Sequence, residues 1–210
     1  IPDLTNKRIG DIGAGFGVFL EELREVVFEA DLVAIEASKK MSNICREKNF
    51  SVIESPIENV SSAETRFFMF TAFELFDHLL DVKKVLTRIH ELLEPGGYLF
   101  LTCLNSLGFD IQVLWKHSLM VCPPLHLNLF NTKSIEILLN TCGFEITELT
   151  TPGELDWEIV ENSFLDNNSK IGRFFRNVVE NADDQSKKNF QKWLNTSNLS
   201  SHMQVIAKKI

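Results

Sequence analysis

The stretch Gly10-Asp11-Ile12-Gly13-Ala14-Gly15-Phe16-Gly17, followed by an apolar-periodic run over 18–28, decides the fold of this 210-residue chain. It reads as a short strand, a glycine turn and a helix, so the free N–H groups of the helix N-terminus face whatever the turn cradles. Glycines at 13, 15 and 17 permit positive φ angles and let a ligand approach where a Cβ would block it. The next apolar run, Asp31-Leu32-Val33-Ala34-Ile35-Glu36, ends on a carboxylate 19 residues past Gly17. At roughly that distance a second parallel strand delivers an acidic residue to a ribose. The combination points to a nucleoside-bearing ligand at the top of a parallel sheet.

Glycine spacing narrows the ligand. A dinucleotide fingerprint requires G-x-G-x-x-G, and Val18 stands where its third glycine would fall. The chain has G-x-G-x-G instead, with Asp11 two residues ahead of Gly13. A pyrophosphate needs the third glycine so that helix and strand pack closely behind it. S-adenosylmethionine carries no phosphate, and offers an ammonium and a sulfonium that a nearby Asp complements. The pattern resembles the first motif of class I S-adenosylmethionine-dependent methyltransferases. Further matches follow in order. Thr71-Ala72-Phe73-Glu74-Leu75-Phe76-Asp77-His78-Leu79 resembles the family's segment after the fourth strand, where an acidic-His pair opens a helix. A one-face apolar pattern over 82–93 stops at Pro95-Gly96-Gly97, and Tyr98-Leu99-Phe100-Leu101-Thr102-Cys103-Leu104 follows as a buried strand, the family's commonest late signature.

Strand-like and helix-like runs alternate, with strands expected at 8–12, 32–36, 50–54, 67–71 and 97–104 and helices at 17–29, 38–48, 74–79 and 82–93. This alternation implies an α/β fold, a parallel sheet with helices on both faces and right-handed crossovers. A helix over 132–142 ends at Gly143 as a C′ glycine, a strand runs over 144–150, and 202–208 reads as the last strand. The resemblance, which runs from about residue 8 to 150 and recurs at the last strand, implies the rest. The fold it implies is a Rossmann-like three-layer sandwich with a seven-stranded, mostly parallel sheet of order 3-2-1-4-5-7-6, strand 7 being antiparallel. It carries cofactor contacts for S-adenosylmethionine onto Asp11, Gly13, Ala14, Gly15, Gly17, Glu36, Ala37, Ile57, Thr71, Phe73 and His78.

Size and composition set limits. With 44% hydrophobic residues, residues 1–210 are expected to bury one core as a single domain. A net charge of −8 without a basic run argues against nucleic acid or an anionic membrane as partner. The four cysteines (45, 103, 122, 142) form no C-x-x-C and read as reduced thiols of a cytoplasmic protein. No apolar stretch approaches the roughly 20 residues of a membrane span, and Ile1-Pro2-Asp3 begins no charged-then-apolar leader. The histidines show no zinc spacing, so no metal is expected. His90 is placed on the polar side of its helix, in solvent.

Two insertions, 105–131 and 152–200, exceed the minimal fold and sit where the family builds its acceptor pocket and lid. Stripes at Ile171, Phe174, Phe175, Val178 and Val179, and at Phe190, Trp193 and Leu194, are expected to pack as core against the main domain. The acceptor pocket is expected between Phe73, Asn105, Phe109 and Trp115, with His126 at its back. His126 is the candidate general base for an oxygen or nitrogen acceptor, and its alternative is to hydrogen-bond its loop. Two departures from the family pattern stand out. Pro56 occupies the position of the Asp that binds the adenine amino group, leaving Ile57 to lie against the ring. Only about eight residues precede the first strand, where the family places a helix or two as a lid.

The expected activity is methyl transfer to a small-molecule acceptor. Thr151-Pro152-Gly153-Glu154-Leu155-Asp156 resembles a branch of sugar and polysaccharide-precursor methyltransferases. The alternatives are a quinone or phenol O-methyltransferase and a non-catalytic S-adenosylmethionine-binding regulatory subunit. A nicotinamide oxidoreductase would need the absent third glycine.

Overall fold

The computed structural model describes residues 3–27, 29–61, 66–167 and 172–210. Seven strands, β1 (Arg8–Ile12), β2 (Asp31–Ile35), β3 (Ser51–Ile53), β4 (Phe67–Phe73), β5 (Leu93–Leu104), β6 (Phe144–Thr150) and β7 (His202–Lys209), form one sheet. Its order is β3-β2-β1-β4-β5-β7-β6. Strands β1 to β5 pair in parallel, and β7 runs antiparallel to both its neighbours. This is the order and polarity that the family resemblance implied.

Burial follows the strand environments. The last four residues of β1 and of β2 are all buried, as expected of parallel strands covered on both faces. In β7, Met203, Val205 and Ala207 are buried while His202, Gln204 and Ile206 are half-buried, the period of two of a strand with one covered face. Helices α1 (Val18–Val26) and α2 (Lys39–Glu47) bring Leu20 and Cys45 onto Ile9, Leu32 and Ala34. On the other face α3 (Val82–Leu92) and α5 (Thr132–Thr141) set Leu86, Ile89, Ile135 and Leu139 against Val33, Ile35, Leu99 and Val205. The start of α5 is fixed by a capping box, in which Asn131 accepts from the Ser134 N–H and the Ser134 hydroxyl accepts from the Asn131 N–H.

The structure corrects several local expectations. The helix expected at 74–79 is a single 3₁₀ turn, Phe76–His78. Glu74 interrupts it with a left-handed φ of 48°, and the Asp77 carbonyl accepts from the N–H groups of Leu127 and Asn128 instead of continuing a helix. Strand β5 begins at once after α3: Leu93 pairs with Phe67, residues 94–97 bulge out, and pairing resumes at Met69 with Tyr98. His90 is not solvated. It is half-buried, its ring meeting Phe144 edge-on at 5.4 Å. Helix α1 stops at Val26, and Phe28 and Ile171 lie outside the described residues.

The insertions hold α4 (Phe109–Leu114), α6 (Asp156–Asn167), α7 (Arg173–Asn181) and α8 (Asp184–Thr196). Their apolar faces do not join the main core, and Phe174 and Trp193, expected to be buried, are 72% and 52% exposed because they lie on the outer side of α7 and α8. Phe109, Leu114, Trp157, Val160, Val179 and Leu194 form a separate cluster of their own. Polar bonds tie this cluster to the sheet. Asp156 accepts from the Ser201 N–H at 2.6 Å and from the Ser200 and Ser201 hydroxyls, and Asn105 Nδ2 donates to the Ser200 carbonyl at 2.9 Å. Among the described residues, no helix is long and apolar enough to cross a membrane.

Candidate active site

The glycine turn closes on itself between β1 and α1. The Gly13 N–H donates to the Ile35 carbonyl at 2.8 Å and the Gly17 N–H to the Ala14 carbonyl at 2.8 Å. Gly17, the N-cap of α1, has a φ of 72°, and a Cβ there would stand 3.1 Å from Cys45 Sγ. Gly15, with a φ of 55°, is different. A Cβ on it would meet only the Gly13 carbonyl at 3.9 Å, so its outer side is open. Gly15→Ala is therefore expected to cost about 1–2 kcal/mol of folding stability, from the left-handed backbone alone and not from a clash. Denaturant unfolding measures this.

Two buried carboxylates flank the turn. Glu36, 8% exposed, follows β2; its Oε2 accepts from the Gly15 N–H at 2.9 Å and its Oε1 from the Ser38 N–H at 2.7 Å. Each oxygen keeps a second acceptor direction. Asp11, 3% exposed on β1, accepts from the Thr71 hydroxyl at 2.7 Å. Burial pushes the Asp11 carboxyl up to about 7, the Thr71 hydroxyl opposing and the nearby Glu36 adding to the shift. Thr71 is itself buried and positions Asp11. Phe73 packs its ring against Phe19 of α1, centroids 4.5 Å apart and planes tilted by 53°. Ala14 packs on the α1–α2 side, and Ala37 is exposed beside Glu36. Ile57 departs from its expected place. It is 3% exposed inside the main core, because the 3₁₀ turn Ile57–Asn59 points it inward.

An open glycine turn between two buried carboxylates fits S-adenosylmethionine, whose cationic groups and ribose diol match Asp11 and Glu36 respectively. It fits a pyrophosphate less well, because the Asp11 carboxylate at the head of the turn would repel it.

The structure brings His78 and His126 together, ring centroids 4.9 Å apart. His78 Nδ1 lies 2.8 Å from the Leu125 carbonyl and His126 Nδ1 lies 2.9 Å from the Met120 carbonyl. A carbonyl only accepts, so Nδ1 carries a proton in both rings. Asp77, 1% exposed beneath them, accepts from the Leu104 N–H at 3.1 Å. Burial raises its carboxyl to about 6, against the Leu104 hydrogen bond, while Glu74 adds to the rise and the two histidines oppose it.

The expected acceptor walls do not assemble. Asn105 is fully buried in the bonds to the loop before β7, Phe109 belongs to the second core, and Trp115 is 66% exposed. A cavity of about 220 Å³ instead opens at the sheet end that carries the glycine turn, between Glu74, Thr102, Gly153, Leu155, His202 and Gln204. His126 does not line it. Glu74 and His202 escaped the sequence reading. They are 128 residues apart, and the one available signal was a charged residue directly after the apolar strand β4.

Comparison with known proteins agrees with this geometry. Residues 2–149 match the methyltransferase-domain family, and the chain belongs to it. Its fold is that of the class I members, which use S-adenosylmethionine. The chain is 30% identical over 109 residues to the ubiquinone biosynthesis O-methyltransferase of Paraburkholderia phymatum, covering 49% of this chain and 46% of that one. It is 29% identical over 111 residues to the same-named protein of Xanthomonas oryzae pv. oryzae, covering 49% and 45%. The chain thus matches about half the length of these curated relatives. Among solved structures, a putative sarcosine dimethylglycine methyltransferase from Galdieria sulphuraria superposes with a TM-score of 0.66 at 15% identity, covering 98% of this chain and 79% of that one. A Haemonchus contortus phosphoethanolamine N-methyltransferase in complex with S-adenosyl-L-methionine gives 0.64 at 16%, covering 99% and 49%.

Proposed function

We propose that this chain methylates a hydroxyl of a small acceptor, with S-adenosylmethionine held between Asp11, Gly15 and Glu36. The observation that carries the reading is the open face of Gly15 between two buried carboxylates. S-adenosylmethionine supplies an activated methyl group on a sulfonium, so the protein's share of the work is alignment and exclusion of water. Glu36 accepts from the ribose hydroxyls while holding the turn, Thr71 aims Asp11 at the cationic end, and Phe73 walls the site toward β4. The O-methyltransferase names of the curated relatives support an oxygen acceptor. A cavity of about 220 Å³ suits a single ring, phenol or sugar.

Calorimetry with S-adenosylhomocysteine, followed by a screen of phenols, catechols and neutral sugars with methyl-labelled cofactor, tests the proposal. Saturable binding and one labelled acceptor support it. Absence of binding refutes it, and tight binding with no acceptor methylated favours the regulatory-subunit alternative.

His126 is assigned to holding its loop, because its Nδ1–H ties that loop at Met120 and its ring rests on His78 outside the cavity, where Nε2 meets no acceptor. His126→Ala is expected to remove one hydrogen bond, about 0.5–1.5 kcal/mol, lowering Tm by a few degrees. Turnover should fall only in proportion. A loss of about 10²–10⁴-fold in a well-folded protein with unchanged cofactor affinity would restore the general-base role.

A further inference from the structure

We infer that His202, oriented by Glu74, is the general base that takes the proton from the acceptor hydroxyl in the cavity at the ends of β4, β5 and β7. This rests on the hydroxyl-acceptor reading above. Both side chains line that cavity, and His202 Nδ1 stands 3.2 Å from Glu74 Oε2. A carboxylate accepts, so Nδ1 carries a proton, and in the neutral imidazole Nε2 holds the lone pair that a base needs.

Glu74 is held at a cost. Its φ of 48° is left-handed, a conformation that a non-glycine residue adopts when surrounding bonds impose it. Those bonds are present, since its N–H donates to both the carbonyl (3.1 Å) and the hydroxyl (3.2 Å) of Thr102. The strained turn sends the chain from Phe73, whose ring packs on α1 just beyond the glycine turn, directly to Glu74 in the cavity. Glu74 is thus one residue along the chain from Phe73, at the same end of the sheet as the glycine turn.

Of the other carboxylates near His202, Asp156 and Asp110 accept hydrogen bonds of their own, while Glu154 lines the cavity. Asp156 holds Ser200 and Ser201, and Asp110 holds the Ile111 N–H and the Ser201 hydroxyl. They act on His202 through charge. Glu74 from the end of β4, Asp110 from α4 and Asp156 from α6 all favour its protonated form, the Glu74 hydrogen bond most strongly, and burial opposes them; the imidazole pKa lies above its usual value. Burial pushes the Glu74 carboxyl up, but its bonds to His202 and Thr102 outweigh that and hold it below its usual value.

In the step, the O–H bond of the acceptor breaks and its proton goes to His202 Nε2. The oxygen's electron pair forms the new C–O bond while the methyl–sulfur bond breaks, its pair staying on sulfur to leave S-adenosylhomocysteine. Glu74 balances the imidazolium until the proton leaves to solvent. A small, neutral, hydroxyl-bearing ring is the acceptor class that this acidic cavity admits, and anionic acceptors are repelled by Glu74, Glu154 and Asp156.

The test combines nitrogen NMR titration of His202 in the S-adenosylhomocysteine complex with turnover of catechols, phenols and sugar hydroxyls. Wild type is expected to titrate above 6.5 and Glu74→Gln to titrate lower, with the acid limb of kcat moving by the same amount. His202→Asn is expected to lose about 10²–10⁴-fold in kcat with S-adenosylhomocysteine affinity intact. The dyad is overturned if kcat of His202→Asn stays within threefold of wild type, if Glu74→Gln leaves the titration unmoved, or if the bound protein methylates no hydroxyl in the panel. Failure of wild type to bind S-adenosylhomocysteine overturns the methyl-transfer reading itself, so the two failures are told apart at the first step.

Discussion

Glu36→Ala is expected to weaken S-adenosylhomocysteine binding by about 10²–10⁴-fold. A ribose diol given to a carboxylate makes two charge-assisted hydrogen bonds, about 1.5–3 kcal/mol each, and every 1.4 kcal/mol is about tenfold in affinity. The carboxylate also pins the site before any ligand arrives, its two oxygens accepting from Gly15 and Ser38. The variant should therefore lose stability as well as affinity, with Tm lower by several degrees. Glu36→Gln separates the two roles. Its one carbonyl oxygen can serve either backbone N–H while the amide cannot accept from the other, so its affinity should fall between those of wild type and the alanine variant. Calorimetry alongside thermal unfolding checks both. Unchanged affinity in a folded Glu36→Ala protein would end the ribose assignment.

The parts of this molecule that could be read from sequence are those whose physics is local. Glycines at 13, 15 and 17 announce a turn because only glycine takes those φ values cheaply, and all three have positive φ here. The covered and open faces of β7 are written as alternation, and those of α3 as Val82, Val85, Leu86 and Ile89 on one side. Strand order is not local. Nothing in residues 202–209 says that they insert antiparallel between β5 and β6, and only the family resemblance supplied it.

The candidate site divides along the same line. Asp11, Gly15 and Glu36 were legible because each stands at a strand end with a fixed spacing to the next element. The pair Glu74–His202 was not, since it depends on β7 returning beside β5 so that Leu104 faces His202 in register. Ile57 misled for a different reason. An apolar residue serves equally well against a ligand ring or in the core, and the turn geometry sent it to the core. Of the stripes at 174–179 and 190–194, Phe175, Val178, Val179, Phe190 and Leu194 pack inward while Phe174 and Trp193 are exposed, and since periodicity names no partner, the inward ones found α4 and α6 in place of the sheet.

Asp11 makes the strongest case for a pH dependence, and its sign can be worked out. Its carboxyl is raised from 3.8 to about 7 in the folded protein, with burial as the first cause. A raised carboxyl binds its proton more tightly folded than unfolded. Its stabilisation is therefore complete below pH 3.8 and is lost as pH rises through about 7, a difference on the order of 4 kcal/mol at 1.36 kcal/mol per unit. Asp11→Asn should abolish that slope and leave the folded protein more stable than wild type at pH 8, as followed by denaturant midpoint against pH. Ligand binding should run the other way. The cationic end of S-adenosylhomocysteine favours the ionised carboxylate, so wild-type affinity should climb by up to about tenfold per pH unit below pH 7 and level off above it. Calorimetry in buffers of different ionisation enthalpy should find up to one proton released per ligand bound near pH 6 and almost none at pH 8.5. In Asp11→Asn both the pH dependence and the proton release should vanish, and affinity at pH 8 should fall by about 10–150-fold, one hydrogen bond to a charged group. If wild type binds with the same affinity from pH 5.5 to 8 and exchanges no proton with buffer, Asp11 does not face the ligand's charge. The raised carboxyl would then be only a cost of burying it beside Glu36.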